Sequence, residues 1–163
     1  MDIPALPRLA LVIDPMADIG SGEVPIVDTL LDSTLDSVDE AETTVLKIAE
    51  DMGFDEDELH KIGMAVRESM VNAVVHGNRY SARKKVHLRA WKAADHLTVA
   101  IGDQGEGFEF SAVPNPLSEE NLLRQSGRGL LLVQAFVDKL EVTRGQPGGT
   151  ELKMVKYLGS AVK

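Results

Sequence analysis

Cysteine is absent from the 163-residue sequence, so disulfide bonds and thiolate metal sites are excluded. Long apolar runs are also missing. The early run at 9–13 is broken by Asp14 and Pro15, whereas a membrane-spanning helix needs about 20 apolar residues. The first residues do not follow the pattern of a signal peptide. These absences predict a cytoplasmic protein with no membrane segment, and its length predicts a single domain with one core.

Basic residues are in the minority, at 17 against 26 acidic residues, and the formal net charge is -9. A protein that binds nucleic acid needs a basic face, so DNA and RNA are not expected as the main partner. The one basic run, at 79–85, is interpreted as a solvated turn, which is the usual role of a short charge run.

Several chemical signatures are missing as well. The sequence lacks the G-x-x-x-x-G-K-[ST] of a P-loop, which excludes that site, and no G-x-G-x-x-G follows a strand, so a Rossmann site is not expected. No G-x-S-x-G supports a serine hydrolase. The four histidines lack metal-ligand spacing, and without cysteine they do not predict a zinc site.

The order of predicted elements indicates an α+β fold. Residues 1–28 contain four prolines and are expected to form an arm, mobile or docked on a partner, with one short strand near 8–13. The functional domain is expected over 29–163. Its first helix is predicted to begin with a capping box of Ser37 and Glu40 and to end at Gly53, and Asp55 is predicted to cap the second helix. The predicted elements are, in order, a weak strand within 29–37, helices over 37–53 and 55–77, a hairpin of two alternating strands at 86–92 and 97–103, a loop at 109–126, a helix within 127–140, and a closing hairpin of strands at 139–145 and 149–158. Helices on one face of a mostly antiparallel sheet suit this order and make a two-layer sandwich.

The segment ESMVNAVVHGN places Glu68, Asn72 and His76 in one row along an otherwise apolar helix, because residues four apart share a helix face. A buried carboxylate without a partner is costly, so something must satisfy Glu68. Two interpretations stay open at this point. The row is either a hydrogen-bond network inside the core, or it faces a ligand pocket. In a pocket, Glu68 would act as a general base and Asn72 would supply an oxygen to a metal ion.

Three glycine-bearing turns accompany this row. In D-x-G-x-G at 103–107, Asp103 ends a strand, and its carboxylate can accept a hydrogen bond from an amino group such as that of adenine. S-G-R-G-L-L at 126–131 leads into a helix, whose N–H groups and dipole favour phosphate. G-G-T at 148–150 opens the last strand, and Thr150 offers a hydroxyl. Each turn alone is a weak signal, because such turns also occur as ordinary hairpins and helix starts.

Taken in order, E-x-x-x-N-A-x-x-H-G-N, D-x-G-x-G-F, S-G-R-G-L and G-G-T-E resemble the boxes of the GHKL ATPase superfamily, which includes gyrase-type and histidine-kinase ATP domains. With H-G-N in the first box and NLLRQSGRGLLL before the helix, the chain most resembles the bacterial anti-sigma-factor serine/threonine kinases. The resemblance covers about 29–158. It implies the GHKL ATP-binding fold, with ATP and Mg²⁺ as cofactors.

The resemblance also implies a role for each site residue. Glu68 is expected to be the general base, Asn72 the Mg²⁺ ligand, and His76 a residue that lines the site. Asp103 is expected to bind adenine, and 109–126 to form the ATP lid. Gly105 and Gly107 are expected to shape the base pocket, and Thr150 is expected to help hold adenine. The residues expected to cradle the phosphates are Gly127, Arg128, Gly129 and Leu130.

The function implied is that of a kinase that phosphorylates a serine or threonine on an anti-sigma-factor antagonist of the STAS type and binds a sigma factor, acting as a homodimer. The long arm departs from the compact family pattern and leaves dimer formation open. Two alternatives remain: an ATP-gated binding module without useful phosphotransfer, and a stand-alone histidine-kinase catalytic domain.

Overall fold

The computed structural model describes residues 10–11, 24–105, 129–144 and 148–159. Helices pack on a six-stranded sheet to form the predicted two-layer α+β sandwich. The strands are β1 (Ala10–Leu11), β2 (Val27–Asp32), β3 (Lys85–Lys92), β4 (His96–Gly102), β5 (Lys139–Arg144) and β6 (Thr150–Tyr157). Among the described residues, the helices are α1 (Leu35–Met52), α2 (Glu56–Val71) and α3 (Gly129–Phe136), and a π-helical segment, Asn72–Gly77, continues α2. In the described ranges, no helix has the length and apolarity needed to cross a membrane.

In the described part of the chain, the sheet has the order β1-β5-β6-β4-β3-β2; the β1–β5 pair is parallel and the other pairs are antiparallel. Both predicted hairpins, β3–β4 and β5–β6, are confirmed as antiparallel pairs. The pairing of β4 with β6 sets Gly102 opposite Glu151. The end of β4 therefore lies beside the start of β6, which brings together two motifs almost fifty residues apart in sequence.

The start of α1 differs from the prediction. Thr34 caps the helix, and its hydroxyl accepts the Ser37 N–H at 3.3 Å. The predicted capping box of Ser37 and Glu40 is therefore wrong by one turn. Thr34 offers the same hydroxyl chemistry as Ser37, and only the position where β2 ends selects between them. The glycine stop of α1 is confirmed by Gly53, whose φ is 99°, and the Asp55 cap of α2 by its bond to the Glu58 N–H at 2.9 Å.

The core lies between the helices and the inner face of the sheet. Alternate residues of β3 and β4 are buried there, as their pattern predicts: Val86, Leu88, Ala90, Leu97, Val99 and Ile101. The apolar stripe of α2 meets them through Ile62, Val66 and Met70. Burial of this stripe fixes the rotation of α2 and so decides where its polar row points.

Of the expected arm before β2, only β1 and the residues from Val24 onward are described, and the expected lid lies outside the described residues.

Candidate functional site

Glu68 lies in the last turn of α2, and Asn72 lies one turn later at the start of the π-helical segment. Both side chains are partly exposed. Among the described residues, neither has a side-chain hydrogen bond or an ion pair. A structural network inside the core would engage both groups. Their open position therefore favours the interpretation in which the row faces a ligand.

The helix widens where this row passes Asn72. The Asn78 N–H donates to the carbonyl of Ala73 at 2.8 Å, five residues back instead of four. A wider turn no longer stacks residues four apart, and His76 is exposed at the end of the row. The sequence predicted a regular helix as far as Gly77, so the π-helical turn is a correction. Such turns are rare and frequently mark functional sites.

Asp103 follows β4 and is held by the main chain of two other segments. Its Oδ1 atom accepts the N–H of Gly105 at 2.9 Å and the N–H of Thr150 at 3.2 Å. Its own N–H donates to the Thr150 carbonyl at 2.9 Å. Burial raises the pKa of Asp103, and the two N–H donors and the charge of Lys84 partly offset that rise. The carboxylate is thus fixed through Oδ1, and Oδ2 has no hydrogen-bond partner among the described residues.

Three glycines let the backbone close around Asp103. A Cβ atom at Gly77 would lie 2.4 Å from Asp103 Oδ2, and one at Gly105 would lie 2.1 Å from the Gly77 carbonyl oxygen. Gly149 has a φ of 91°, and a Cβ there would lie 2.1 Å from the Asp103 carbonyl oxygen. Of these three glycines, only Gly105 was predicted from the sequence to shape the site. The sequence signals that mark the other two glycines are the motifs that contain them, H-G-N for Gly77 and G-G-T for Gly149.

Asn78 is the last residue of the segment ESMVNAVVHGN, and no role was predicted for it from the sequence. It is 1% exposed, and its Nδ2 donates to Ser33 Oγ at 2.9 Å and to the Lys85 carbonyl at 3.0 Å. Its Oδ1 accepts the Gln104 N–H at 2.7 Å. One side chain therefore joins the end of the π-helical segment to the ends of β2 and β4 and the start of β3, and so positions the loop that follows Asp103.

The residues expected at the phosphates are described only in part. Gly129 is the first residue of α3, so a helix N-terminus lies where the glycine turn predicted one. Leu130 is 1% exposed and packs in the core, so only its main chain can face a ligand. Outside the described residues lie Gly107, Gly127, Arg128 and the expected lid at 109–126.

These residues fit Mg-ATP in chemistry. Mg²⁺ is usually bound by one or two protein oxygens together with substrate phosphates and water, and not by an all-protein cage. Glu68 and Asn72 offer such oxygens on successive turns. Among the described residues, no cluster of three histidine, aspartate or glutamate side chains forms a metal site of its own. The Oδ2 atom of Asp103 offers an acceptor for an amino group.

This two-layer fold, with a strand-end aspartate enclosed by glycines beside a helix that carries Glu68 and Asn72, is that of a GHKL-type ATPase domain. The chain belongs to the histidine kinase-like ATPase domain family, whose model matches residues 31–156.

Two curated relatives indicate which members of this family the chain is similar to. The chain is 30% identical over 124 residues to an anti-sigma F factor of Thermoanaerobacter sp. (strain X514), covering 74% of this chain and 85% of that protein. It is 29% identical over 121 residues to the serine-protein kinase RsbW of Bacillus subtilis (strain 168), covering 71% of this chain and 74% of that protein.

A solved structure shows the same fold. The RsbU and RsbW domains of Rv1364c from Mycobacterium tuberculosis superpose with a TM-score of 0.58 at 20% identity. The match covers 82% of this chain and 32% of that longer chain.

Proposed function

We propose that this protein is an anti-sigma factor with serine/threonine kinase activity, which uses Mg-ATP to phosphorylate an anti-sigma-factor antagonist and binds a sigma factor. The observation that carries the proposal is the pair Glu68 and Asn72, partly exposed on successive turns and set on the same helix whose end packs against Asp103. The curated relatives named anti-sigma F factor and serine-protein kinase support the choice of activity.

Each side chain has a distinct task in this proposal. Glu68 takes the proton of the attacking hydroxyl, and Asn72 holds Mg²⁺ against the phosphates. Asp103 accepts the amino group of adenine through Oδ2, with Thr150 beside it. The α3 N-terminus, beginning at Gly129, receives the phosphates. Catalysis rests on positioning and charge neutralisation, as is general for phosphoryl transfer.

The remaining parts of the proposal follow from the resemblance to the anti-sigma kinases. His76 lines the site, and Gly105 and Gly107 shape the base pocket. The proposal also includes phosphate contacts from Gly127, Arg128 and Leu130, and a lid formed by 109–126. It treats the arm at 1–28 as a unit separate from the domain at 29–163. We also propose that the protein acts as a homodimer in the cytoplasm.

The deciding experiment is phosphotransfer in host lysate with γ-labelled Mg-ATP, with mass spectrometry to identify the labelled protein. We compare wild type with Glu68→Gln, and with Glu50→Gln on the exposed side of α1 as the matched control. Loss of a general base costs about 10²- to 10⁴-fold. Glu68→Gln should lose the label to this extent while it retains nucleotide, and Glu50→Gln should match wild type.

Each other outcome points to a specific alternative. Label that persists in Glu68→Gln excludes Glu68 as the base. No label in wild type that still binds Mg-ATP identifies an ATP-gated binding module. A label that is lost in acid identifies phosphohistidine, and hence a histidine-kinase-type catalytic domain.

A further inference from the structure

The turn that joins the π-helical segment to β3 carries three cations that have no ion-pair partner among the described residues. This basic turn consists of residues 79–84, with Arg79 and Arg83 exposed and Lys84 partly exposed. None of the three makes an ion pair with a residue that the structure describes. By contrast, the next cation along the chain, Lys85, is paired with Asp32 at 2.5 Å. In a protein of net charge -9, the basic turn is therefore a local positive surface.

The backbone of the basic turn is strained. Arg79 and Tyr80 have φ values of 53° and 60°, in the left-handed region that non-glycine residues rarely adopt. The Tyr80 N–H donates to the Val74 carbonyl at 2.9 Å, which secures the turn to the π-helical segment. The Tyr80 side chain is 53% exposed, so burial of its ring does not explain the conformation. Strain of this kind persists only where the surrounding structure fixes it, and it is concentrated at functional sites.

The basic turn borders the nucleotide site. Buried Asn78, the residue just before it, bonds the Gln104 N–H, and Gln104 Oε1 accepts the Lys85 N–H at 2.6 Å. Lys84 is near enough to Asp103 for its charge to act on that carboxyl. The turn and the loop after Asp103 are therefore held as one unit, and a protein bound to the turn would be adjacent to bound nucleotide.

We propose that the basic turn is the docking surface for an acidic segment of the protein that accepts the phosphate. This inference rests on the proposed kinase function. Three cations are too few for a nucleic-acid footprint, and the acidic remainder of the surface would repel a phosphate backbone. An exposed charge at the rim of an interface acts mainly on the rate and the salt dependence of association. The turn therefore sets affinity for the protein substrate and leaves the chemical step unchanged.

The test is a pair of double variants that each remove two positive charges. Arg79→Asn/Arg83→Gln neutralises the turn, and asparagine tolerates the left-handed backbone at 79. Lys47→Gln/Lys61→Gln removes two exposed charges from α1 and α2 and is the matched control. The first readout is the kcat and KM for the purified protein that the labelling experiment identifies, at low and high salt. The second is binding of a fluorescein-labelled deca-glutamate peptide, which needs no phosphotransfer.

We expect the turn variant to raise KM about three- to tenfold with kcat and ATP affinity unchanged, and to weaken the salt dependence of KM. It should also lose the deca-glutamate binding, and the lysine control should match wild type in every readout. Equal losses in both variants, or an unchanged KM and peptide affinity in the turn variant, overturn the proposal. If wild type phosphorylates no protein, the kinase function fails, and with it the turn's role as a substrate dock. Peptide binding then decides separately whether the turn holds acidic segments.

Discussion

A Cβ atom at Gly77 would lie 2.4 Å from the Oδ2 atom of Asp103, so only glycine fits between the end of the π-helical segment and the strand-end carboxylate. The same Oδ2 atom is the acceptor that the proposed site offers to adenine. The contact therefore links the helix that carries Glu68 and Asn72 directly to the proposed base pocket.

The first prediction is that Gly77→Ala loses nucleotide affinity. The added methyl must displace the Asp103 carboxylate or the helix end, and forced overpacking costs about 1–3 kcal/mol. ATP affinity should fall about tenfold or more. Gly102→Ala is the control, because a Cβ there meets nothing closer than 3.8 Å. Isothermal calorimetry with Mg-ATP measures both. Similar losses in the two variants would show that the Gly77–Asp103 contact has no special importance.

The second prediction concerns pH. Burial raises the pKa of Asp103, so its carboxyl becomes protonated at a higher pH than an exposed aspartate does. Protonation removes charge from the carboxylate that we propose as the acceptor of the adenine amino group. ATP affinity should therefore fall as pH is lowered toward that raised pKa.

Asp103→Asn is the matching variant for this pH profile. It should bind ATP about ten- to a hundredfold more weakly, because a hydrogen bond to a charged group contributes about 1.5–3 kcal/mol. Its remaining affinity should vary less with pH than that of wild type. Fluorescent-nucleotide titrations across pH test both statements, and an identical pH profile in the variant would exclude Asp103 as the titrating group.

The third prediction is that Asn78→Ala destabilises the fold. The change leaves the Gln104 N–H without its acceptor and removes the two donors to Ser33 and Lys85, and an unsatisfied buried group costs about 1–3 kcal/mol. Gln104→Ala removes only one exposed bond and should cost less. Urea unfolding of both variants gives the two free energies. A smaller loss for Asn78→Ala than for Gln104→Ala would contradict its role as the link between the loops.

The fourth prediction concerns Lys153, which lies on the outer face of β6 and is 4% exposed. Its Nζ atom lies 5.1 Å from the centre of the Trp91 ring. Burial lowers the pKa of Lys153 to about 8, below the 10.5 of an exposed lysine. Between these pH values the unfolded chain holds a proton that the folded chain has released. The free energy of unfolding should therefore rise with pH across this window, with a contribution of up to about 1.4 kcal/mol per pH unit from this group.

Lys153→Met should remove that contribution and keep the buried volume. Exposed Lys92→Met is the control and should follow wild type. Urea unfolding at several pH values above neutrality measures the slopes. If wild type and Lys153→Met have the same slope, the buried lysine does not titrate in this range.

Local patterns predicted most of the fold. Alternation identified β3 and β4, and a glycine and an aspartate marked the end of α1 and the start of α2, because these signals act through the backbone of a few neighbouring residues. The start of α1 was wrong by one turn, because Thr34 and Ser37 are equivalent as caps until the end of β2 selects one. The π-helical turn was missed because no residue of NAVVHG excludes a regular helix.

The sequence by itself determined the two-layer sandwich, the row of Glu68 and Asn72, and the identity of Asp103 as a strand-end carboxylate, since all three depend on short-range periodicity. Only the tertiary structure decided that Gly77, Gly105 and Gly149 enclose Asp103, that Asn78 joins three segments, and that the basic turn borders the same site. The pairing of β4 with β6 and the packing of α2 on the sheet bring these residues together. Such long-range contacts leave no periodic signal in the chain.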